Sequence, residues 1–401
     1  MLEEFIKIQL NLIRNTKTDF KRYLYKRINW GDRLIGITGF RGVGKTTLML
    51  QYFMENFENP EDCLYISCDN IKLIGDGLFN SASSFFDSGG KVIILDEIHK
   101  YPSWSLELKN LYDSYPEKKI IFSGSSTLEL VKGKYDLSRR AVIYRLAGLS
   151  FREYLELFKK VRIKEHRLED ILKNHVKIAS NIGKDVSVLR YFRSYLKDGY
   201  YPFLIEGLDS YRQKMLNALE KVLYEDIPAV YQIKPSAVPI SKKLIFLVGT
   251  SQPFTPNIER IGSILGISKE YTYYYIDYLE KAGIFNLLFP DAYGIKLLRR
   301  PEKIYLENPN LFYAVSELVG ASCSLGAVRE CLFVNQLRND FRISYSKGGD
   351  FSVERKYVFE VGGGGKGFRQ ITGEEKAYLV CDDILIGYKN KIPLYLFGLL
   401  Y

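Results

Sequence analysis

The stretch 39-GFRGVGKTT-47 decides how this chain folds. Gly39–Thr46 fits the pattern Gly-x-x-x-x-Gly-Lys-Ser/Thr. The apolar run RLIGITGF (33–40) precedes it, and the helix-compatible run TTLMLQYFMENF (46–57) follows. A strand that enters a glycine turn and leaves as a helix is the context in which this pattern cradles phosphate. The turn through Gly39, Arg41, Gly42, Val43 and Gly44 lets backbone amides curl around phosphate oxygens. The helix start at Lys45, Thr46 and Thr47 adds its partial positive charge. Lys45 suits the β- and γ-phosphates, and the Thr46 hydroxyl suits Mg²⁺, so ATP and Mg²⁺ are the expected cofactors.

Working outward, VIILDE (92–97) supplies the partner motif. A buried strand delivers Asp96 to its carboxyl end, where nucleotides sit in open α/β sheets. Asp96 is expected to hold the metal and Glu97 to act as general base on the attacking water. His99 follows as a satisfied histidine behind the site. IIFSGSS (120–126) ends another strand, with Ser123 or Ser125 as a sensor hydroxyl between Glu97 and the γ-phosphate. DLSRRAVIYRL (136–146) places Arg139 and Arg140 before a further strand. Arg140 is favoured as an arginine that neutralises transition-state charge in a neighbouring subunit. Apolar segments at 33–40, 63–69, 91–97, 118–126 and 141–146 alternate with helical ones, which predicts a parallel sheet covered on both faces. Leu2, Phe5, Ile6, Leu10 and Ile13 recur at helical spacing, so residues 1–29 read as helix.

The chain has 401 residues, too many for one ordinary core. Its net charge of +10 makes nucleic acid a plausible partner, but the charge is spread along the sequence. Five Cys and three His form no zinc pattern. The start MLEEFIKIQLNL lacks a secretory leader, and no run of about 18 apolar residues could span a membrane. A cytoplasmic protein is expected.

After Ser150 the pattern turns helical. The expected divisions are an ATPase core with an N-terminal helix (1–149), a helical lid (150–250), a winged helix (251–315) and a last α+β domain (316–401). TPNIERIGSILGISKEYTYYYIDYLEKAGIF (255–285) has helix-turn-helix spacing followed by strand-like residues. Ser268, Lys269, Tyr271, Thr272 and Tyr273 are its exposed candidates. Lys296, Arg299, Arg300 and Lys303 form the candidate phosphate-binding wing. Double-stranded DNA and a protein partner remain the two alternatives for this module.

The segments GFRGVGKTTLMLQYF, VIILDEIHKYPSW, IIFSGSSTLEL, LSRRAVIYRLAGLSFREYL and LKDGYYPFLI resemble bacterial and archaeal AAA+ ATPases that carry a C-terminal domain of unknown function. The likeness covers nearly the whole chain and is more diffuse in its second half. It implies a P-loop parallel sheet with a helical lid, then a winged helix and a PD-(D/E)xK nuclease-like domain. It also implies a homo-oligomer when active. The family's Leu-x-Gly-Arg before the fifth strand places its arginine at Arg140, with Arg139 in place of the glycine. Gly148 stands where the family has proline. Matching the nuclease-like motif puts its carboxylates at Glu330, Asp350 and Glu360, but Gly362 where the lysine belongs.

That last departure falls in FEVGGGGKGF (359–368). Gly367 follows Lys366 where a P-loop needs Ser or Thr, so this is no second P-loop. Lys366 either swings back on its glycines to replace the missing lysine or belongs to a loop in a fold kept for binding. The second reading is favoured. The function expected is ATP hydrolysis coupled to a DNA- or protein-binding module. The alternatives are a slow ATP-gated switch and an ATP-regulated metal-dependent nuclease.

Overall fold

Leu34, Ile35 and Ile37 are almost completely buried on both faces of strand β1 (Leu34–Thr38), as a covered parallel strand requires. In the computed structural model of the protein, residues 2–124, 137, 139–183, 187–231, 237–252, 256–291, 301–371 and 373–401 are described. The chain divides into two units, Met1–Ala147 and Gly148–Tyr401. The segments expected at 150–250, 251–315 and 316–401 fall in the second unit.

In the first unit, β1 is joined by β2 (Cys63–Ser67), β3 (Val92–Asp96), β4 (Lys119–Gly124) and β5 (Val142–Arg145). Among the described residues they form one sheet in the order β2-β3-β4-β1-β5, and every pair is parallel. The register sets Thr38 beside Gly124 and Ser67 beside Asp96, so their carboxyl ends share one edge. Helix α1 (Leu2–Asn15) buries Phe5 in the cluster of Leu64, Ile66, Phe86, Trp104 and Phe122.

The predicted helix over residues 1–29 is shorter than expected. It ends at Asn15, and a single turn, α2 (Leu24–Arg27), follows later. Asn15 and Thr16 donate back to the carbonyls of Asn11 and Leu12. The Gln51 amide, on α3 (Lys45–Asn56), donates to the carbonyls of Lys17 and Phe20. Those carbonyls are satisfied without a continuing helix. Helices α4 (Ile71–Asp76) and α5 (Leu78–Asp87) lie between β2 and β3, and α6 (Trp104–Ser114) lies between β3 and β4.

The second unit begins with α7 (Phe151–Lys159), whose start carries a capping box: Ser150 accepts from the Glu153 amide and Glu153 accepts from the Ser150 amide. Helices α8 (Leu168–Gly183), α9 (Val188–Asp198), α10 (Leu208–Lys221), α11 (Ile227–Tyr231) and α12 (Val238–Thr250) follow. Then α13 (Ile258–Leu265), a left-handed Gly266 and α14 (Lys269–Lys281) lead into the antiparallel pair β6 (Phe285–Leu288) and β7 (Lys303–Leu306). After α15 (Pro309–Leu318) and α16 (Leu325–Leu337) comes a mixed sheet. Its strands β8 (Ile343–Tyr345), β9 (Phe351–Val353) and β10 (Tyr357–Gly362) are antiparallel, while β11 (Ala377–Cys381) and β12 (Lys391–Pro393) run parallel to β10.

The interior of this unit holds a set of buried polar side chains. Glu307 is buried and accepts hydrogen bonds from Tyr200, Asn308 and Asn335. Asn310 accepts from the Tyr200 amide and the Tyr211 hydroxyl, and donates to the carbonyls of Tyr195 and Leu196. The carboxylate is thus held by neutral donors, each of which needs its own geometry.

Among the described residues no helix is long and apolar enough to cross a membrane. All five cysteines are free.

Candidate nucleotide site

The carboxyl edge of the first sheet carries the P-loop. Gly44 takes φ 97°, a left-handed conformation that glycine adopts without strain, and α3 starts directly after it. A Cβ at Gly39 would lie 2.4 Å from the Leu146 carbonyl oxygen, so only glycine lets the loop pass there. Val43 is buried, and its carbonyl accepts from Arg22, whose other nitrogen donates to Ala147 O at 2.7 Å. Lys45 is buried and donates to the carbonyls of Gly39 (3.0 Å) and Phe40 (3.2 Å). Thr47 is exposed at the start of the helix.

Asp96 arrives from β3 and is 3% exposed. Its Oδ2 accepts from Thr46 Oγ1 at 2.6 Å and from the Tyr65 hydroxyl at 2.7 Å. Its Oδ1 accepts from Ser123 Oγ and from the Glu97 amide. The same Glu97 amide donates to Ser123 Oγ at 3.1 Å. Ser123 therefore sits between the two acidic residues and fixes the strand end, whereas Ser125 lies outside the described residues.

Glu97 adopts φ 53°, a positive value that few carboxylate residues take. Its carboxylate lies 3.9 Å from both Arg41 and Lys45 and 3.4 Å from His99 Nε2. The P-loop, Asp96, Glu97 and Ser123 are thus brought together as the sequence predicts.

Arg140 is not part of this constellation. It makes a two-pronged pair with Asp113 near the end of α6, at 2.9 and 3.1 Å. That hydrogen bond, with the guanidinium charge behind it, holds the Asp113 carboxyl below the usual carboxylate range. Arg140 precedes β5, so in a parallel sheet it stands at the edge opposite the P-loop of its own chain. Two residues escape the sequence reading. Arg22 braces the loop from behind, and Tyr65 braces Asp96. Burial, then the charge of Asp96, pushes the Tyr65 phenol well above its ordinary range. A tyrosine in the middle of an apolar strand is the one signal that could have pointed to it, because a buried hydroxyl needs a partner.

The second unit gathers the other predicted residues. Glu330 on α16, Asp350 ahead of β9 and Glu360 on β10 converge. Lys366 pairs with Glu360, lies 4.0 Å from Asp350 and donates to Val361 O. A Cβ on Gly362 would lie 2.2 Å from Lys366 Cδ. Lys366 thus swings back over the glycine into the space a side chain at 362 would take, against the favoured reading that it belongs to a bystander loop.

Lys303 also departs from expectation. It is not a wing residue facing phosphate: it turns inward and donates to Glu330 (2.8 Å) and Asp350 (2.9 Å). The other wing candidates, Lys296, Arg299 and Arg300, lie outside the described residues. On the helix-turn-helix, Tyr271 and Tyr273 are exposed. Ser268 caps α14, and Lys269 pairs with Glu259. Thr272 is fully buried and bonds to the Ser268 carbonyl, so it is no surface reader.

Residues 31–155, which include Lys45, Thr46, Asp96, Glu97 and Ser123, match a protein family described as an AAA domain. Over 394 residues the chain is 29% identical to the Methanocaldococcus jannaschii protein named "Uncharacterized protein MJ1637", covering 90% of this chain and 81% of that one. The AMPPCP-bound DnaA of Aquifex aeolicus is similar over 69% of this chain and 88% of its own, at 15% identity and a TM-score of 0.29. The ADP complex of S. cerevisiae Hsp104 is similar over 69% of this chain and 41% of its own, at 13% identity and a TM-score of 0.31.

Proposed function

We propose that the chain is an AAA+ ATPase that binds and hydrolyses ATP with Mg²⁺ and couples its nucleotide state to a docking module in the second unit. The observation that carries this reading is the meeting of Lys45, Thr46, Asp96, Glu97 and Ser123 at one sheet edge. The hydroxyl of Thr46 and the carboxylate of Asp96 are hard oxygen donors and would hold Mg²⁺, which would supply positive charge against the charge that develops on the phosphates. Lys45 exchanges its two carbonyl partners for phosphate oxygens. Glu97 accepts a proton from the attacking water, with its backbone held by Ser123. Lys45→Ala should abolish tight ATP binding, whereas Glu97→Gln should retain binding and stall turnover. Equal loss of binding in both variants, measured with a fluorescent ATP analogue, would refute these roles.

Arg140 serves a second copy of the chain in this reading, which makes the active form a homo-oligomer. The helix-turn-helix and its strand pair form a winged-helix docking element. Exposed Tyr271, Tyr273 and Tyr274, beside lysines paired with acids, support a protein partner over double-stranded DNA.

A slow ATP-gated switch is the second reading. It is supported by Glu97 resting near Arg41, Lys45 and His99, groups that would have to release it before it can act as a base. ATP bound tightly with no turnover above background would favour the switch. The final domain is read as nuclease-like in fold and without nuclease activity.

A further inference from the structure

Three carboxylates from separate elements converge in the second unit, and a lysine from a fourth element stands among them. Lys303, the first residue of β7, places Nζ 2.8 Å from Glu330 Oε2 and 2.9 Å from Asp350 Oδ1. Its side chain is 12% exposed, as is that of Glu330. Tyr305, two residues along the same strand, donates to the same Glu330 oxygen. Asp350 spends its other oxygen on the Val361 amide at 2.9 Å. Glu360 is 3% exposed at the side chain and pairs with Lys366. The rings of Tyr345 and Phe351 flank the Lys303 ammonium at 6.0 and 5.5 Å.

We infer that Lys303 is the resident cation of this cluster, occupying the place between Glu330 and Asp350 that a divalent metal ion would otherwise take. An ammonium and a hydrated Mg²⁺ or Mn²⁺ compete for the same carboxylate oxygens, and the lysine is covalently present at every moment. Two ammonium groups face three carboxylates, so the carboxylates find their counter-charge within the chain. Among the described residues no group of three His, Cys, Asp or Glu side chains is arranged to hold a metal. Here the carboxylates are turned toward lysines instead. Burial, with Asp350 beside it, raises the Glu330 carboxyl, and the two carboxylates raise the Lys303 ammonium against its own burial.

Removing the Lys303 charge leaves three inward carboxylates and one ammonium. Oxygen ligands of that kind, freed of their internal partner, recruit a hard divalent cation. The inference is independent of the nucleotide site, because it concerns the second unit and is tested without ATP.

The test is a Mn²⁺ titration of the nucleotide-free full chain, with free Mn²⁺ counted by electron paramagnetic resonance. Wild type should show no binding that depends on Asp350. Lys303→Met should gain a single site at least about tenfold tighter than anything in wild type. Lys303→Met combined with Asp350→Asn should lose it. Two results would overturn the inference: a Mn²⁺ site in wild type that Asp350→Asn abolishes, or a folded Lys303→Met that binds none. If Lys303→Met is recovered unfolded, refolding with Mn²⁺ must restore its circular dichroism. Failure to do so counts against the inference equally.

Discussion

Replacing Tyr65 with phenylalanine tests how Asp96 is held. The hydroxyl donates to Asp96 Oδ2 at 2.7 Å, and the ring is 4% exposed, so phenylalanine fills the same space without leaving a cavity. Asp96 keeps Thr46, Ser123 and the Glu97 amide. The loss is therefore one hydrogen bond to a buried charged group, about 1.5–3 kcal/mol. With a urea dependence of about 1–3 kcal/mol per molar, the unfolding midpoint should fall by roughly 1 M. The assay is selective by luck of composition. Both tryptophans, Trp30 and Trp104, lie within Met1–Ala147, so tryptophan fluorescence follows the first unit alone. The same variant should need more Mg²⁺ for half-maximal ATP turnover while binding nucleotide normally without Mg²⁺. Because Tyr65 and Ser123 grip opposite oxygens of one carboxylate, Tyr65→Phe and Ser123→Ala should couple by about 0.5–3 kcal/mol in a double-mutant cycle. An unchanged midpoint together with an unchanged Mg²⁺ requirement would refute the idea that Tyr65 orients the metal-binding acid.

Arg140→Ala should bind ATP normally but lose about 10³-fold in turnover if the arginine acts on a neighbouring copy. Mixing it with Lys45→Ala should restore part of the rate, and full turnover by a strictly monomeric Arg140→Ala would exclude the role. If the second unit binds duplex DNA, replacing Arg299 and Arg300 by alanine should flatten the salt dependence by about one unit for each arginine that grips a phosphate. Absence of any binding at low salt would leave the protein partner. Burial first, with Asp350 adding, holds the Glu330 carboxyl above its ordinary 4.5. A folded value above the unfolded one means the folded chain binds more protons between them, so the stability supplied by this group falls as pH rises above 4.5. The unfolding free energy of wild type minus that of Glu330→Gln should then decrease from pH 4.5 upward when followed by circular dichroism; a difference that is flat or grows would contradict this sign.

The P-loop was legible because its chemistry is local: a glycine turn, a lysine and a hydroxyl within eight residues, between a strand and a helix. Strands β1 to β4 were legible because their side chains are buried and read as plain apolar runs; β5 departs from the expected covering on both faces, since Val142 and Ile143 are exposed. Partnerships between distant segments were not legible. Nothing in the sequence near Arg22 or Tyr65 says that residues 21 and 31 positions further on will accept their hydrogen bonds. Lys303 was misread for a related reason. It lies in a dense basic stretch, and density of charge suggests a solvated surface. Alternation along β7 turned it inward, with Tyr305, toward Glu330. Lys366 stood between two readings because four glycines set no direction, and the choice came from packing over Gly362. The α1 boundary failed because apolar spacing ran on weakly, while Gln51 offered the next carbonyls another partner.

The Arg22 guanidinium makes the phosphate loop and the last residue of the first unit two handles of one part. One nitrogen grips Val43 in the loop, and another grips Ala147, whose next covalent neighbour is Gly148. A loop that tightens around an incoming anion cannot shift Val43 without either tearing one of these bonds or dragging Ala147 along. The fork is rigid and planar, so little of the movement is absorbed in the side chain itself. In the function proposed above, such a loop would pull, through Arg22, on the residue at which the chain leaves the first unit.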